Sequence, residues 1–224
     1  MNFNKNIVLG SGSPRRKLLL KELGFNFRIL TSKADEVPLP HLKREKIAEY
    51  LAEEKANSLS GQIKENEILI TADTIVCLGS VMLGKPSDSL NAIEMLSLLN
   101  GRRHQVYTGI CLFKNNEKKI FSVESNVVFR KLNENEIQKY IEVYKPFDKA
   151  GSYGAQESLP EGINSCSEKE IKFMKKFGFE KLFERTLPEE NINRIPLIDH
   201  IEGSYFNVMG LPVVELFEEL MVFS

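Results

Sequence analysis

No run in this chain approaches the ~18 consecutive apolar residues that a membrane-spanning helix needs. The first residues also lack a basic stretch followed by a long apolar one, the mark of a secretory leader. These absences predict a soluble, cytoplasmic protein. Cysteine is scarce: Cys77, Cys111 and Cys166 are far apart and odd in number, which fits a reducing compartment and excludes a disulfide or zinc framework. Charge of either sign is not in excess, with 30 basic and 31 acidic residues and a net charge of −1. No general drive toward nucleic acid or an anionic membrane follows, so any phosphate chemistry must be local. The three histidines, His41, His104 and His200, share no ligand spacing, and neither H-E-x-x-H nor paired C-x-x-C occurs. A G-x-x-x-x-G-K-[ST] phosphate loop is absent, and Ser11 and Ser13 lack the nucleophile-elbow pattern. Internal repeats and low-complexity tracts are missing too.

What is present is 224 residues, 42% of them hydrophobic, enough for a sizeable core in one or two lobes. Ile7-Val8-Leu9 reads as a short strand, Gly10 to Ser13 as a loop, and the residues from Pro14 as a helix. Ser13 suits an N-cap, Pro14 the first helical position, and Gly24 a left-handed stop. Arg15, Arg16 and Lys17 then crowd three cations onto the positive end of the helix dipole. Either this is a solvated basic turn, or an anion is held there by the backbone N–H groups of the first turn.

Phe25 to Leu30 alternates as a half-buried strand does, and Thr31 to Leu42 is a polar, proline-bearing loop that includes Glu36. Glu45 to Leu59 has a helical apolar stripe in which Lys55 falls, either snorkelling to water or pointing into a polar cleft. Ile68 to Leu78 is the most apolar run and predicts a central strand. Asp73 lies in its middle. A carboxylate there must be paired, protonated or metal-bound, and such carboxylates cluster at active sites. Gly79-Ser80 signals a hairpin that brings Lys85 back toward the level of Asp73. Helices are predicted from Ser87 or Asp88 to Asn100, from Asn133 with a capping box to Tyr144, from Ser167 to about Gly178, and from Val213 to Met221. His104 to Phe113 and Lys119 to Phe129 read as strands across a five-residue loop, and Ile198 to Met209 as a hairpin around Gly203-Ser204. Cations for phosphates plus carboxylates for a hard divalent ion make up the inventory of metal-assisted phosphate chemistry. On the residues alone the reading stops at a phosphoryl-ester or phosphoanhydride enzyme.

Six motifs in order carry a resemblance: Ser11-Gly12-Ser13-Pro14-Arg15-Arg16, Ala72-Asp73-Thr74-Ile75-Val76, Gly84-Lys85-Pro86, Tyr107-Thr108-Gly109, Asp148 to Gln156, and Gly203 to Pro212. Together they resemble the Maf family of nucleoside triphosphate pyrophosphatases. The resemblance implies an α/β fold, a mixed sheet flanked by helices, with two lobes and a deep cleft between them. It also implies hydrolysis of a nucleoside triphosphate to the monophosphate and pyrophosphate with a divalent metal, Mg2+ or Mn2+. By position, Asp73 matches the family's proton acceptor, Arg15, Thr74 and Gln156 match positions tied to substrate choice, and Glu36, Lys55 and Lys85 match polar cleft positions. Ser11, Gly12, Ser13, Arg15 and Arg16 are then expected on the triphosphate, Lys55 and Lys85 on charge developing in the reaction, and Glu36 with Asp73 on the metal. Gly154-Ala155-Gln156 resembles the branch that acts on dTTP and UTP, with 7-methyl-GTP or another modified nucleotide as the alternative. A nucleotide-binding regulator of septum formation without turnover is the rival from another class. Expected partners are the nucleotide alone, with no nucleic acid and no membrane, and a homodimer left open. One departure stands out. Glu157 follows Gln156 where the family places glycine, and the stretch from 157 to about 197 reads as a partly helical insertion in a single domain spanning 1–224.

Overall fold

The computed structural model describes residues 5–32, 37–187 and 194–223. Among these, seven strands form one mixed sheet in the order β2-β1-β3-β5-β6-β7, with β4 paired to β3. The strands are β1 (Asn6–Leu9), β2 (Phe27–Ile29), β3 (Glu67–Leu78), β4 (Val81–Leu83), β5 (Arg103–Lys114), β6 (Glu117–Phe129) and β7 (Ile198–Glu202). The longer helices are α1 (Pro14–Glu22), α2 (Glu45–Leu59), α3 (Ser89–Leu99), α4 (Glu134–Tyr144), α6 (Glu168–Phe177) and α9 (Val213–Val222). Short helical turns are α5 (Ala155–Ser158), α7 (Leu182–Thr186) and α8 (Tyr205–Val208).

β1 lies one strand in from the β2 edge of the sheet. β1 pairs in parallel with β2 on one side and with β3 on the other. Leu19, Leu20 and Leu23 of the α1 region pack into the larger core on one face of the sheet. Ala52, Ala56 and Leu59 of α2 pack on Val8 and Leu69 in a second core on the other face. Leaving β1 in both directions, by helices on opposite faces, opens a crevice at its carboxyl end, the place where open α/β sheets bind ligands.

β3 pairs with β1, β4 and β5 and is buried along nearly its whole length. Successive side chains alternate between faces. Thus Ile75 and Cys77 pack with α2 in one cluster, whereas Ile70, Ala72 and Val76 join the large core on the other face. β3 runs antiparallel to β5 with Asp73 opposite Gly109 and Thr74 opposite Thr108. The absence of a side chain at Gly109 is what seats α2: a Cβ there would lie 2.3 Å from the carbonyl carbon of Ala48. Thr71 secures the same contact by donating its hydroxyl to the carbonyl of Ala52 at 2.6 Å.

Local signals are honoured at most element ends. Pro14 opens α1, and Gly24 follows it at a φ of 80°. Asn133 and Ser167 head α4 and α6 with complete capping boxes. Two expectations are corrected. The β5–β6 connection is a tight turn over Asn115 and Asn116, whose φ values of 49° and 67° suit a type I′ hairpin, so both strands run further than the polar sequence implies. The chain after β7 does not return as a strand. Ser204 caps the amide of Asn207, and 205–208 coil into α8. No helix among the described residues is long and apolar enough to cross a membrane.

Candidate active site

A cavity of about 690 Å³ opens at the crevice beyond β1. Its walls are the 10–16 loop and start of α1, Leu51 and Lys55 of α2, 73–76 of β3, Gly84 and Lys85 after β4, 148–150, 153–155 and 208–210. Its volume lies in the usual range for small-molecule sites. Among the described residues, five basic side chains, Arg15, Arg16, Lys55, Lys85 and Lys149, line it against two acidic ones, Asp73 and Asp148. In a chain whose net charge is −1, that local excess of cations suits an anion.

At the centre, Lys55 Nζ donates to Asp73 Oδ1 at 2.5 Å, with both side chains about nine-tenths buried. α2 brings the ammonium, β3 brings the carboxylate, and the close seat at Gly109 brings the two elements together. The sequence left Lys55 as either a snorkelling residue or a cleft residue, and the structure turns it inward. Lys85 lines the same cavity, as the hairpin register implied.

The basic triplet divides. Arg15 faces the cavity rim, 3.3 Å from Asp148. Arg16 is turned into the protein, where its guanidinium donates to the carbonyl of Gly210 at 2.8 Å, the carbonyl of Ala72 at 2.9 Å, Ser11 Oγ at 3.2 Å and Thr74 Oγ1 at 3.0 Å. It ties the loop after β1, the middle of β3 and the chain after α8 into one unit. Of the loop donors, the N–H of Ser13 is directed to Ser11 Oγ at 3.2 Å, and Ser13 makes no side-chain cap on α1. Ser11, Gly12 and Ser13 all line the cavity.

Thr74 lines the cavity but spends its hydroxyl inside the protein. Thr108 Oγ1 donates to the carbonyl of Asn207 at 3.0 Å, so its single proton is used, and Thr74 must be the donor in the 3.0 Å contact between the two hydroxyls. Gln156 is not among the residues lining the cavity. Its amide nitrogen donates to the carbonyl of Thr186 at the end of α7. The structure therefore brings together Ser11, Gly12, Ser13, Arg15, Arg16, Lys55, Asp73, Thr74 and Lys85, and leaves Gln156 outside. Glu36 lies outside the described residues.

Two residues join the site that the sequence left without a role. Lys149 lines the cavity, donates to Asp148 at 2.8 Å and lies 3.7 Å from the buried carboxylate of Glu157. Burial pushes the Asp148 carboxyl up, but the hydrogen bond from Lys149 and the charges of Lys149 and Arg15 hold it below its ordinary value. Tyr153 lines the cavity and shares a 2.8 Å hydrogen bond with the ring of His104. Burial drives His104 down to about 4, so the ring is neutral near pH 7, and burial also raises the Tyr153 phenol. The only earlier signal for Lys149 was its place in a run of small residues around a charged pair.

The family model described as Maf-like protein matches residues 6–170. The chain belongs to the Maf family. Three relatives are each named dTTP/UTP pyrophosphatase. That of Phocaeicola vulgatus is 41% identical over 215 residues, spanning 96% of this chain and 94% of the relative. That of Porphyromonas gingivalis strain W83 is 40% identical over 222 residues, spanning 97% and 94%. That of Christiangramia forsetii is 37% identical over 217 residues, spanning 97% and 93%. The cavity of this Maf-family chain is thus built mainly from the first two-thirds of the sequence, with 208–210 closing it from the last third.

Proposed function

We propose that this Maf-family protein is a nucleoside triphosphate pyrophosphatase, acting on dTTP and UTP to give the monophosphate and pyrophosphate. The observation that carries the reading is the buried Lys55–Asp73 pair inside a cavity whose described lining holds five basic residues to two acidic ones. The names borne by relatives of about 40% identity agree with it.

Arg15, Lys85 and Lys149 meet the triphosphate, and the first turn of α1 adds N–H donors at its positive end. Water attacks the α-phosphorus. Asp73 takes its proton, the bond from the α-phosphorus to the bridging oxygen breaks, and pyrophosphate leaves with that oxygen. Lys55 holds the carboxylate in place and balances charge that develops on the α-phosphate. A 1 Å error in such a geometry costs on the order of 10²-fold in rate, which is why both partners sit on buried, regular elements.

The donor set fits a divalent ion that arrives with the substrate. Among the described residues no cluster of three or more ligating side chains occurs. A hard ion such as Mg2+ needs only one or two carboxylates when phosphates and waters complete its shell. We assign the carboxylates of Asp73 and Glu36 to hold it. When bound, Mg2+ or Mn2+ supplies positive charge to the phosphate oxygens. We also assign the protein to the cytoplasm, where the thiols of Cys77, Cys111 and Cys166 stay reduced.

The test is a panel of dTTP, UTP, CTP, GTP and 7-methyl-GTP with Mg2+ or Mn2+, with products resolved. Fastest release of pyrophosphate from dTTP and UTP, abolished in Asp73→Asn, is expected. No pyrophosphate from any of them refutes the chemistry. Fastest turnover of 7-methyl-GTP moves the base assignment and leaves the chemistry standing.

A further inference from the structure

We propose that Glu170, which lies on α6 some way along the chain from the cavity residues, is a positioning residue for the reaction. It acts through a line of buried hydrogen bonds that ends on Arg16 and Thr74, and the proposal rests on the pyrophosphatase reading above.

Glu170 is 1% exposed. Its Oε1 accepts from Ser204 Oγ at 2.6 Å and from the N–H of Phe206 at 3.0 Å. Its Oε2 accepts from the N–H and hydroxyl of Ser167 at 2.7 and 2.9 Å and from the N–H of Tyr205 at 3.2 Å. The Ser167 bonds are the local capping of α6. The other three belong to α8, more than thirty residues on.

From α8 the line continues inward. Ser204 Oγ accepts from the N–H of Asn207 at 2.9 Å. The Asn207 side chain is pinned by the carbonyl of Val106 at 3.1 Å and Ser125 Oγ at 3.0 Å. The backbone carbonyl of Asn207 receives the Thr108 hydroxyl, Thr108 receives Thr74, and Thr74 receives Arg16. Every donor in this last stretch points the same way, so the bonds polarise one another. Arg16 also grips the carbonyl of Ala72 and that of Gly210. Asp73 is therefore bracketed, with the residue before it and the residue after it both held by Arg16. A carboxylate needed only to cap its own helix has no use for three bonds to α8, whose far end leads directly into the cavity wall at 208–210.

Glu170→Gln keeps the length and exchanges one acceptor oxygen for an NH2 group. Whichever way the amide turns, at least two donors lose their acceptor. We expect kcat for dTTP to fall about tenfold, part of the cost of misplacing a catalytic group, with KM nearly unchanged. Glu168→Gln, on an exposed residue of the same turn, leaves both at wild-type values. In a Thr108→Val background, where the line is already cut, Glu170→Gln costs less than about twofold more, because coupled sites do not add. Amide hydrogen exchange supplies a readout independent of turnover: faster exchange in 203–210 that extends to 71–76 is expected. A lowered melting temperature with unchanged kcat, or exchange changes confined to 165–206, overturns the proposal. If Glu170→Gln does not fold, Ser204→Ala cuts the next link and takes the same measurements. If the wild type releases no pyrophosphate, the functional reading fails, and the spread of exchange to 71–76 alone upholds or overturns the positioning role.

Discussion

Gly109→Ala puts one methyl group where α2 now touches β5. That Cβ would lie 2.3 Å from both the carbonyl carbon and oxygen of Ala48 and 2.5 Å from the N–H nitrogen of Glu49. All three are backbone atoms, so no rotamer change relieves the clash. Non-bonded carbon contacts sit near 3.5–4.0 Å, which requires α2 to back away by about 1 Å. Lys55 is seven residues after Ala48, roughly 10 Å along the same helix, and it moves with it. The 2.5 Å contact with Asp73 then opens toward the limit of a hydrogen bond. Two effects follow. Overpacking costs about 1–3 kcal/mol, which in a chain of this size lowers Tm by about 2–12 °C. Displacement of the pair lowers kcat by up to about 10²-fold. Differential scanning fluorimetry reads the first, and pyrophosphate release from dTTP, at a temperature where the variant is fully folded, reads the second. A variant with wild-type Tm and kcat refutes the seating of α2 on Gly109. One that loses Tm but keeps kcat refutes the claim that this seat aligns the catalytic pair.

Asp73→Asn removes the proton acceptor while keeping its shape, so turnover falls by at least about 10²-fold, the scale of general-base catalysis; equilibrium binding of dTTP measured by calorimetry should persist. Arg15→Ala raises KM for dTTP, and the increase shrinks as salt is raised because exposed charges are screened; an equal KM at every ionic strength contradicts a phosphate contact. His104 is held by burial at about 4, below its ordinary value near 6.5. The unfolded chain therefore binds the extra proton first. The contribution is complete above about pH 6.5 and shrinks by about 3 kcal/mol as pH falls to 4. In a Tm series across that range, His104→Phe should flatten the slope.

The elements were legible where short-range chemistry decides them. Pro14, Gly24 and Gly178 each mark an end through a backbone requirement, and Asn133 through the side-chain cap it gives the first turn of its helix. β3 was legible because a run from Ile68 to Leu78 with a single charge can only be a buried strand or a buried helix, and the Gly79-Ser80 turn decided for a strand. The 198–209 stretch departs from its local hairpin pattern for a reason on the far side of the molecule. Gly203-Ser204 has the composition of a hairpin turn, yet the carboxylate of Glu170 satisfies the N–H groups of Tyr205 and Phe206 and stabilises a helical turn instead. A partner more than thirty residues away leaves no mark on the local pattern.

The same separation explains what was and was not legible in the site. Composition showed which residues carry charge, and the strand-loop-helix pattern showed where an anion fits. Neither shows whether a side chain faces ligand or protein. Arg15 and Arg16 are adjacent and chemically identical, but one lies at the rim beside Asp148 and the other reaches acceptors 56 and 194 residues away in Ala72 and Gly210. A rigid planar fork suits the second task, since its donors fix several acceptors at once where an ammonium acts as a point charge. Arg16→Lys and Arg15→Lys therefore separate the two roles. At the rim, lysine keeps the charge that meets phosphate, so KM for dTTP changes by less than about threefold. At position 16, lysine cannot reproduce the fork that holds Ala72, Thr74 and Gly210 together, so kcat falls by about tenfold or more while the charge is unchanged. If the two lysine variants behave alike, Arg16 acts on the substrate by charge after all, and the division of labour within the basic triplet is wrong.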